Sequence, residues 1–447
     1  MDIENTAKRL LQLIEKSGVD EGEVYLESSS GLEMEVRDQA VERLKKRETG
    51  GYGLRLIADR RMAFVYSSDL RDASLETAVA KGAELAKMAA RDEANSLVGP
   101  AGEVTPVDIY DENFDGIDFN LKVGLLKEIE KLALDYDPAI RRLESVTYSD
   151  TKADVVVANT KGVFRRKSGT LFDVGCSVIA EKDGDVETGG EEATSRFFDQ
   201  LEPPSEIAKR ACWKATSLLG GKVVASQAVP VILDRDTGFA LLASFLAMIN
   251  GDNVATGVSA LKGRIGEALG SPLVTIVDDP LLKGGVASAS FDDEGTPCAR
   301  KVVLDRGVLK TFLCDARSAS KLGMQPTGNA RRGGYRALPG VETSNFYVES
   351  GGLPPEDIIA STPRGLWALS LTGWWVGINP ATGDFSSGAR GLWIENGRVV
   401  HPVKNVTVAS NVLDMLRGID SVGNDLYLRQ RTASPTVRIA EMSIGGR

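Results

Sequence analysis

Histidine is almost missing from this chain, which has only His401 in 447 residues. Zinc peptidases usually bind their metal with two histidines on one helix and a glutamate between them. One histidine cannot make that motif. A serine hydrolase would have to use His401 as its base, and the chain has no Gly-x-Ser-x-Gly sequence to present the serine. Because His401 follows a predicted hairpin and precedes Pro402, we interpret it as an ordinary surface or partly buried residue.

Cysteine is also scarce, and no C-x-x-C pair occurs. Scattered cysteines are typical of reduced thiols in a cytosolic protein, not of a disulfide framework or a thiolate zinc site. No apolar run approaches the roughly 18 residues of a membrane span, and the acidic segment 1–5 has no signal-peptide pattern. We therefore expect a cytoplasmic protein with no membrane partner. The four cysteines are Cys176, Cys212, Cys298 and Cys314.

A basic surface is missing as well. The formal net charge is -10, and we expect no dense Lys/Arg run to offset it, since the basic cluster Arg331-Arg332 in a glycine-rich stretch is too small. Phosphate backbones would be repelled by such a protein, so nucleic acid is not an expected partner. The chain also lacks both common glycine-rich phosphate-binding motifs, which removes support for nucleotide binding.

What remains is the composition of an ordinary soluble globular protein, with 42% apolar and 26% charged residues. The pattern along the chain predicts an α+β fold in two parts. Residues 1–220 are predicted to form an N-terminal α+β domain, an antiparallel sheet flanked by helices. Residues 221–447 are predicted to form a β-rich C-terminal domain with few helices, and the boundary is placed near Gly220-Gly221.

Periodicity supplies the elements of the first half. Apolar residues at helical spacing predict helices at about 3–16, 74–91, 121–134 and 206–219. Alternating apolar and polar residues predict strands with one solvated face. The stretch 99–116, rich in Pro, Asp and Gly, is predicted to be a connector. The predicted strands lie at 23–27, 32–36, 53–57, 62–66, 155–157 and 172–179.

The second half begins with a short apolar strand at 229–233 and a helix at 238–249. Many short strands follow, separated by turn residues. Two hairpins are predicted, at 302–309 and 392–400. The second contains Asn396-Gly397, the strongest short-range hairpin signal.

Two groups of residues could still carry chemistry. One is a set of loop carboxylates, whose hard oxygen atoms could hold Ca²⁺ or Mg²⁺, although acidic turn residues are common in so acidic a protein. The other is Gly328–Gly334, where glycines would allow close approach of a ligand and Arg331 and Arg332 would suit a carboxylate. A solvated flexible loop is the alternative. The carboxylates are Asp278, Asp279, Asp292, Asp293 and Glu294.

The order of several short motifs resembles the TldD/PmbA family, whose members have also been called modulators of DNA gyrase, over nearly the whole chain. In the first half, Gly53-Leu54-Arg55 and 67–70 fit the family. In the second half the resemblance rests on Asp278-Asp279-Pro280, 291–297, 307–310, 315–319, 327–330, 379–384 and 394–397. Each motif is weak alone, but so many in the same order are specific.

The resemblance also indicates what this chain has lost. Catalytic members carry His-Glu-x-x-x-His on the helix after the short apolar strand, and a C-terminal cysteine completes the zinc site. Alignment on Gly238 and Gly251-Asp252 places Leu242 and Ala247 at the histidine positions and Ala243 at the glutamate. The cysteine is missing too, since Cys314 is the last one. The resemblance is therefore to the PmbA/TldE branch, and no catalytic or metal-binding residue is expected here.

The resemblance implies a non-catalytic subunit of a heterodimer. The expected partner is a TldD-like catalytic subunit that holds the zinc, and the expected substrates are unfolded peptides that pair with an exposed sheet edge. Asn329, Arg331 and Arg332 are predicted to line the substrate groove or the subunit seam. Two alternatives stay open: a homodimeric peptidase with a carboxylate metal site, and a non-enzymatic protein-binding factor.

Overall fold

The structure, a computed structural model, describes residues 3–446. About 23% of the chain is helical and 40% lies in strands. The protein therefore consists of β-sheets with a small number of helices, and the predicted α+β fold class is confirmed. Within residues 3–446, no helix combines the length and the apolar character needed to cross a bilayer.

The first half of the chain folds into one six-stranded antiparallel sheet and four helices. The helices are α1 (Ile3–Lys16), α2 (Asp72–Met88), α3 (Phe119–Leu134) and α4 (Pro204–Ser217). The strands are β1 (Glu21–Arg37), β2 (Ala40–Ala58), β3 (Arg61–Ser67), β4 (Ile140–Asn159), β5 (Phe164–Lys182) and β6 (Asp185–Ser195), in the spatial order β3-β2-β1-β4-β5-β6.

The two faces of this sheet have different neighbours, because successive residues of a strand point to opposite sides. On one face, Val24 and Leu26 belong to a core shared with α1 and α2, and α3 and α4 cover the rest of that face. On the other face, Tyr25 packs with Phe291 and Tyr335 of the second half. The open face of the sheet is therefore where the two halves of the chain meet.

The sheet corrects two expectations. Residues 23–27 and 32–36 were predicted as separate strands, but both belong to the single 17-residue strand β1. Strand β2 begins at Ala40, well before the predicted residue 53. The segment 40–49 is largely charged and exposed, so it carries little of the alternation by which a half-buried strand is recognised.

The second half holds five short helices and many strands. The helices are α5 (Phe239–Ile249), α6 (Gly251–Ala255), α7 (Ala316–Leu322), α8 (Pro355–Ala360) and α9 (Val412–Gly418). The strands are β7 (Gln227–Leu233), β8 (Ile276–Asp278), β9 (Lys301–Asp305), β10 (Val308–Leu309), β11 (Ala330–Arg331), β12 (Gly340–Val341), β13 (Phe346–Val348), β14 (Arg364–Thr372), β15 (Asp384–Glu395), β16 (Arg398–Asn411), β17 (Ile419–Val422), β18 (Thr432–Ala433) and β19 (Val437–Gly445).

These strands form one large sheet and two smaller ones. The large sheet has the order β16-β15-β14-β7-β19-β17, and β16 also bonds to β19, so five of its strands close on themselves. A second sheet has the order β10-β9-β8-β13-β18, and β11 pairs with β12. The β15–β16 hairpin turns at Asn396 and Gly397 with φ of 50° and 71°, as the Asn-Gly signal predicted.

The connection between the halves runs from the end of α4 at Ser217 to the start of β7 at Gln227. The predicted boundary at Gly220-Gly221 falls inside it. The largest core of the molecule lies in the second half, where α5 packs with the strands of the large sheet. Helix α5 is thus built into the centre of that half.

Candidate functional site

Helix α5 is positioned by the turn that follows β7. The buried carboxylate of Asp234 accepts hydrogen bonds of 3.0 Å from both the backbone N–H and the hydroxyl of Thr237, which fixes the entry to the helix. Burial, with the neighbouring charge of Asp236, raises the pKa of Asp234 to about 7. The side chains of Phe245 and Met248 are fully buried and pack α5 against the core.

The three positions aligned with the zinc motif carry no ligands. Leu242 is fully buried, whereas Ala243 and Ala247 are half-buried and share one face of α5, four residues apart. Aliphatic side chains cannot coordinate zinc or move a proton. Across residues 3–446, no group of three or more His, Cys, Asp and Glu side chains is placed to hold a metal ion. A zinc ion therefore does not fit this helix.

The half-buried face of α5 ends at two cavities, both lined by residues from each half of the chain. Phe239, at the first turn, lines a cavity of about 450 Å³ with strands β4, β5 and β6. Asn250, just after the last turn, lines a cavity of about 640 Å³. The two ends of helix α5 thus each lie at a cleft to which both halves of the chain contribute residues.

The larger cavity has a mixed lining. Arg317 projects from α7, with Nη2 2.9 Å from Oδ2 of Asp92 and Nη1 3.4 Å from Oδ1 of Asp252. Arg55 lies at the cavity wall, and residues 338–341 form another side. Since Asp92 belongs to the first half and Asp252 to the second, Arg317 ties the two halves together across the cavity.

Beside this cavity lies a buried network of charges from both halves. Arg55 of β2 donates from Nε and Nη2 to Glu23 of β1, at 2.9 and 2.5 Å, and from Nη1 to Glu294, at 2.7 Å. Glu294 also accepts a hydrogen bond of 2.8 Å from the backbone N–H of Ala316. All three charged side chains are almost inaccessible to water. A fork of three charge-assisted bonds in such a place holds its partners firmly.

The two glutamates respond differently to the shared arginine. Burial opposes ionisation of Glu23, but Arg55 and Arg332 outweigh it and lower its pKa. Burial raises the pKa of Glu294 to about 7, because Arg55 only partly compensates and the carboxylates of Asp292 and Asp315 are near. One guanidinium cannot neutralise both glutamates fully, so Glu294 is the member that binds a proton most readily.

The predicted arginines lie in this junction. The Arg332 side chain is completely buried and forms an ion pair with Glu23. Its backbone N–H donates to Asp293 at 2.8 Å, and Lys167 of β5 binds the same carboxylate at 2.6 Å. Burial opposes protonation of Arg331, but nearby Cys298 and Asp293 raise its pKa. The segment is a buried contact between the halves, not the solvated flexible loop that was the alternative.

Asn329 is also buried. Its side-chain nitrogen donates 2.9 Å hydrogen bonds to Asp278 and to the carbonyl of Glu342. The structure thus places Asn329, Arg331 and Arg332 along one chain segment. Asn329 and Arg331 bond within the second half, and Arg332 reaches the first sheet. A role in a substrate groove or a subunit seam stays a prediction.

The predicted carboxylates do not converge on a common point. Each is engaged by donors of its own: Asp278 with Lys301 at 2.9 Å, Asp279 with the Leu281 backbone N–H at 2.9 Å, Asp292 with the backbone N–H groups of Glu294, Thr296 and Ala330, Asp293 with Lys167, and Glu294 with Arg55.

Sequence reasoning missed Glu23 and Arg55 as site residues. The motif Gly53-Leu54-Arg55 contained a signal for this contact. A Cβ at residue 53 would lie 2.4 Å from the carbonyl oxygen of Tyr335, so only glycine lets the second half approach the strand that carries Arg55. Sequence reasoning also missed a basic run. Arg43, Lys45, Lys46 and Arg47 lie within five residues, contrary to the expectation of no dense Lys/Arg run.

A short strand, β7, leads into the apolar helix α5 in the main core of the second half, and the sheet of the first half packs against that half. Family models for domain 1, the central domain and the C-terminal domain of the PmbA/TldA metallopeptidases match residues 22–88, 112–219 and 226–446. The chain belongs to the PmbA/TldD family, and the resemblance drawn from the sequence is confirmed.

Several relatives match over nearly their full length. The metalloprotease PmbA homolog of Haemophilus influenzae is 27% identical over 98% of this chain and 94% of its own. A metalloprotease TldD homolog of Buchnera aphidicola is 26% identical over 96% of this chain and 93% of its own. A solved structure from Thermotoga maritima, whose name suggests a modulator of a DNA gyrase, is 28% identical with a TM-score of 0.89 and covers 99% of this chain and 100% of its own.

Proposed function

We propose that this chain is the non-catalytic, PmbA/TldE-like subunit of a two-subunit metallopeptidase. A TldD-like subunit holds the zinc, and this chain contributes to the handling of unfolded peptides in the cytoplasm. The observation that carries the proposal is helix α5, where Leu242, Ala243 and Ala247 occupy the motif positions. The names of the relatives include both PmbA and TldD, which is consistent with such a pair.

The packing of α5 supports a structural role for the helix. Leu242 lies in the main core together with Phe245 and Ile249, so the helix contributes apolar contacts where a catalytic helix would need ligands. Burial of this kind stabilises a fold by roughly 1.5–3 kcal/mol for each large apolar side chain. The helix is thus retained as part of the framework while its chemistry is gone.

The test measures zinc content and cleavage of an unstructured peptide by this chain alone, by a TldD-like protein alone, and by their mixture. We expect zinc and the strongest cleavage only where the TldD-like protein is present, and a stable complex on size-exclusion chromatography. Metal bound by this chain alone, with chelator-sensitive cleavage, would mean a homodimeric peptidase instead. A lack of complex formation together with capture of another target would mean a non-enzymatic binding factor.

The predicted peptide-handling residues have their own test. Replacement of both Arg331 and Arg332 by alanine is expected to weaken peptide capture by the assembled pair. Arg336→Ala, on the exposed part of the same segment, is the matched control and should leave capture unchanged. Unchanged capture by the folded double variant would remove both arginines from the site.

A further inference from the structure

One backbone edge of strand β2 is open over most of its length. β1 pairs with β2 from Ala40 to Ile57, but on the opposite side β3 pairs only with Tyr52–Ala58. Residues 40–51 therefore have one row of N–H and C=O groups that no strand among the described residues 3–446 covers, and residues 40–49 are exposed. An open row of this kind is a template for pairing with another extended chain.

The open edge is held in its extended shape by the rest of the protein. The turn before it has left-handed backbone at Asp38 and Gln39, with φ of 51° and 59°. Their N–H groups donate to the two carboxylate oxygens of the buried Glu130 on α3, at 2.8 and 2.7 Å. β1 is in turn paired with β4. An incoming peptide would not have to order this edge, which lowers the entropy cost of binding.

The side chains along the edge have a definite charge pattern. Arg43, Lys45 and Arg47 alternate with their neighbours and so lie on one face of the sheet. Next to them on β1 are Glu33, whose Oε1 is 2.8 Å from Nη1 of Arg47, and Glu35, whose Oε2 is 3.6 Å from Nη1 of Arg43. Lys45 forms no ion pair within residues 3–446. On this face β1 therefore carries acidic side chains, and its neighbour β2, at the open edge, carries basic ones.

We propose that the Ala40–Gly50 edge of β2 binds an extended segment of an unfolded polypeptide that carries acidic side chains at alternate positions. Such a segment continues the alternation of charge across the sheet, since opposite charges on directly neighbouring strands attract. Backbone hydrogen bonds hold the peptide on the edge. Arg43, Lys45 and Arg47 favour the register in which the acidic side chains of the peptide lie on the same face of the sheet. The proposal rests on the peptide-handling part of the proposed function and names the edge and the peptide charge; since binding is measured with this chain alone, its outcome is separate from the test of the two-subunit peptidase.

A second copy of this chain is a poor occupant. Two β2 edges related by a twofold axis perpendicular to the sheet would meet antiparallel with the same faces aligned. Arg43, Lys45 and Arg47 would then lie opposite the same three cations of the other copy. Like charges directly opposite each other destabilise a pair of strands.

The experiment measures binding of a fluorescein-labelled ten-residue peptide of alternating Glu and Val to the full chain alone, by fluorescence anisotropy at low salt. We expect saturable binding that weakens as salt is added. A peptide with Lys in place of Glu should not bind. The same Glu-Val peptide with alternate backbone nitrogens methylated should also fail, because it keeps the charge but cannot complete the ladder. Equal binding of the methylated peptide, or no binding of the acidic one, would overturn the proposal.

Variants locate the site on the protein. Lys45→Glu is expected to weaken binding about threefold to tenfold, because one attraction becomes a repulsion. Lys16→Glu is the matched control, since Lys16 is an exposed lysine at the end of α1, and it should bind as the parent does. An unchanged affinity in Lys45→Glu, with the thermal unfolding midpoint preserved, would contradict the assignment. Self-association of the parent chain that Lys45→Glu abolishes would replace the peptide by a second copy and refute the proposal.

Discussion

Nη1 of Arg55 lies 2.7 Å from Oε1 of Glu294, although the two residues are 239 positions apart in the chain. Arg55 belongs to a strand of the first sheet, and Glu294 belongs to a loop of the second half. Both side chains are buried, so their pairing occurs without water to screen or replace it. The contact makes the two halves of the chain depend on each other.

Removal of Arg55 should therefore be costly. Arg55→Met leaves Glu294 without its cation and Glu23 with only Arg332. Loss of one partner of a buried pair costs about 3–5 kcal/mol, because a charge stays buried and uncompensated. Urea unfolding followed by circular dichroism measures this loss. Arg71→Met, which breaks an exposed pair with Asp69, is the control and should leave the unfolding midpoint unchanged; equal effects of the two variants would contradict a dominant role for burial.

Glu294 should make stability depend on pH. Its folded pKa of about 7 lies above its usual value of 4.5, so its contribution to stability is fully present below pH 4.5 and is lost as pH rises through 7. Glu294→Gln does not titrate, and its stability relative to the parent should rise by about 3 kcal/mol from pH 4.5 to above pH 7. Urea unfolding at several pH values measures this difference. A difference that stays constant with pH would mean that folding does not raise the pKa of Glu294.

Helix α5 should behave as core. Phe245 is fully buried, and Phe245→Ala is expected to cost about 3–5 kcal/mol of unfolding free energy, because a cavity is left in a close-packed centre. Phe119→Ala, at an exposed phenylalanine, is the matched control and should cost far less. A small loss at residue 245 would indicate that the helix is loosely packed and poorly suited to a framework role.

Chelation should not affect this chain alone. A metal bound only to the folded state stabilises it in proportion to its binding free energy, so EDTA would lower the unfolding midpoint if such a metal were present. We expect the same midpoint with and without EDTA in differential scanning calorimetry. A TldD-like protein measured alongside is the positive control and should lose stability. A clear decrease for this chain would revive the carboxylate metal site.

Much of the architecture could be predicted from the sequence. The helix at 3–16 matches α1, and the Asn396-Gly397 hairpin forms where expected, because short-range periodicity and turn chemistry govern both. Strand β2 was predicted only in part. Its exposed residues 40–49 pair with β1 and follow a turn that Glu130 of α3 binds, and neither contact is recorded in the local pattern.

The candidate site was less predictable. Arg331 and Arg332 were recognised as cations in a glycine-rich segment, but their neighbours could not be. The partner of Arg332 is Glu23, 309 positions away, and no spacing rule connects residues so far apart. The choice between a solvated loop and a buried contact depended on which surface covers the segment.

The sequence by itself determined what chemistry this protein lacks. One histidine and the aliphatic residues Leu242, Ala243 and Ala247 exclude the family's zinc motif from α5 in any conformation, because ligand atoms are a property of residue type. Only the tertiary structure decided which charges are buried together and which edge of β2 stays open. Burial and pairing depend on the surfaces that folding brings into contact, and these surfaces come from segments far apart in the chain.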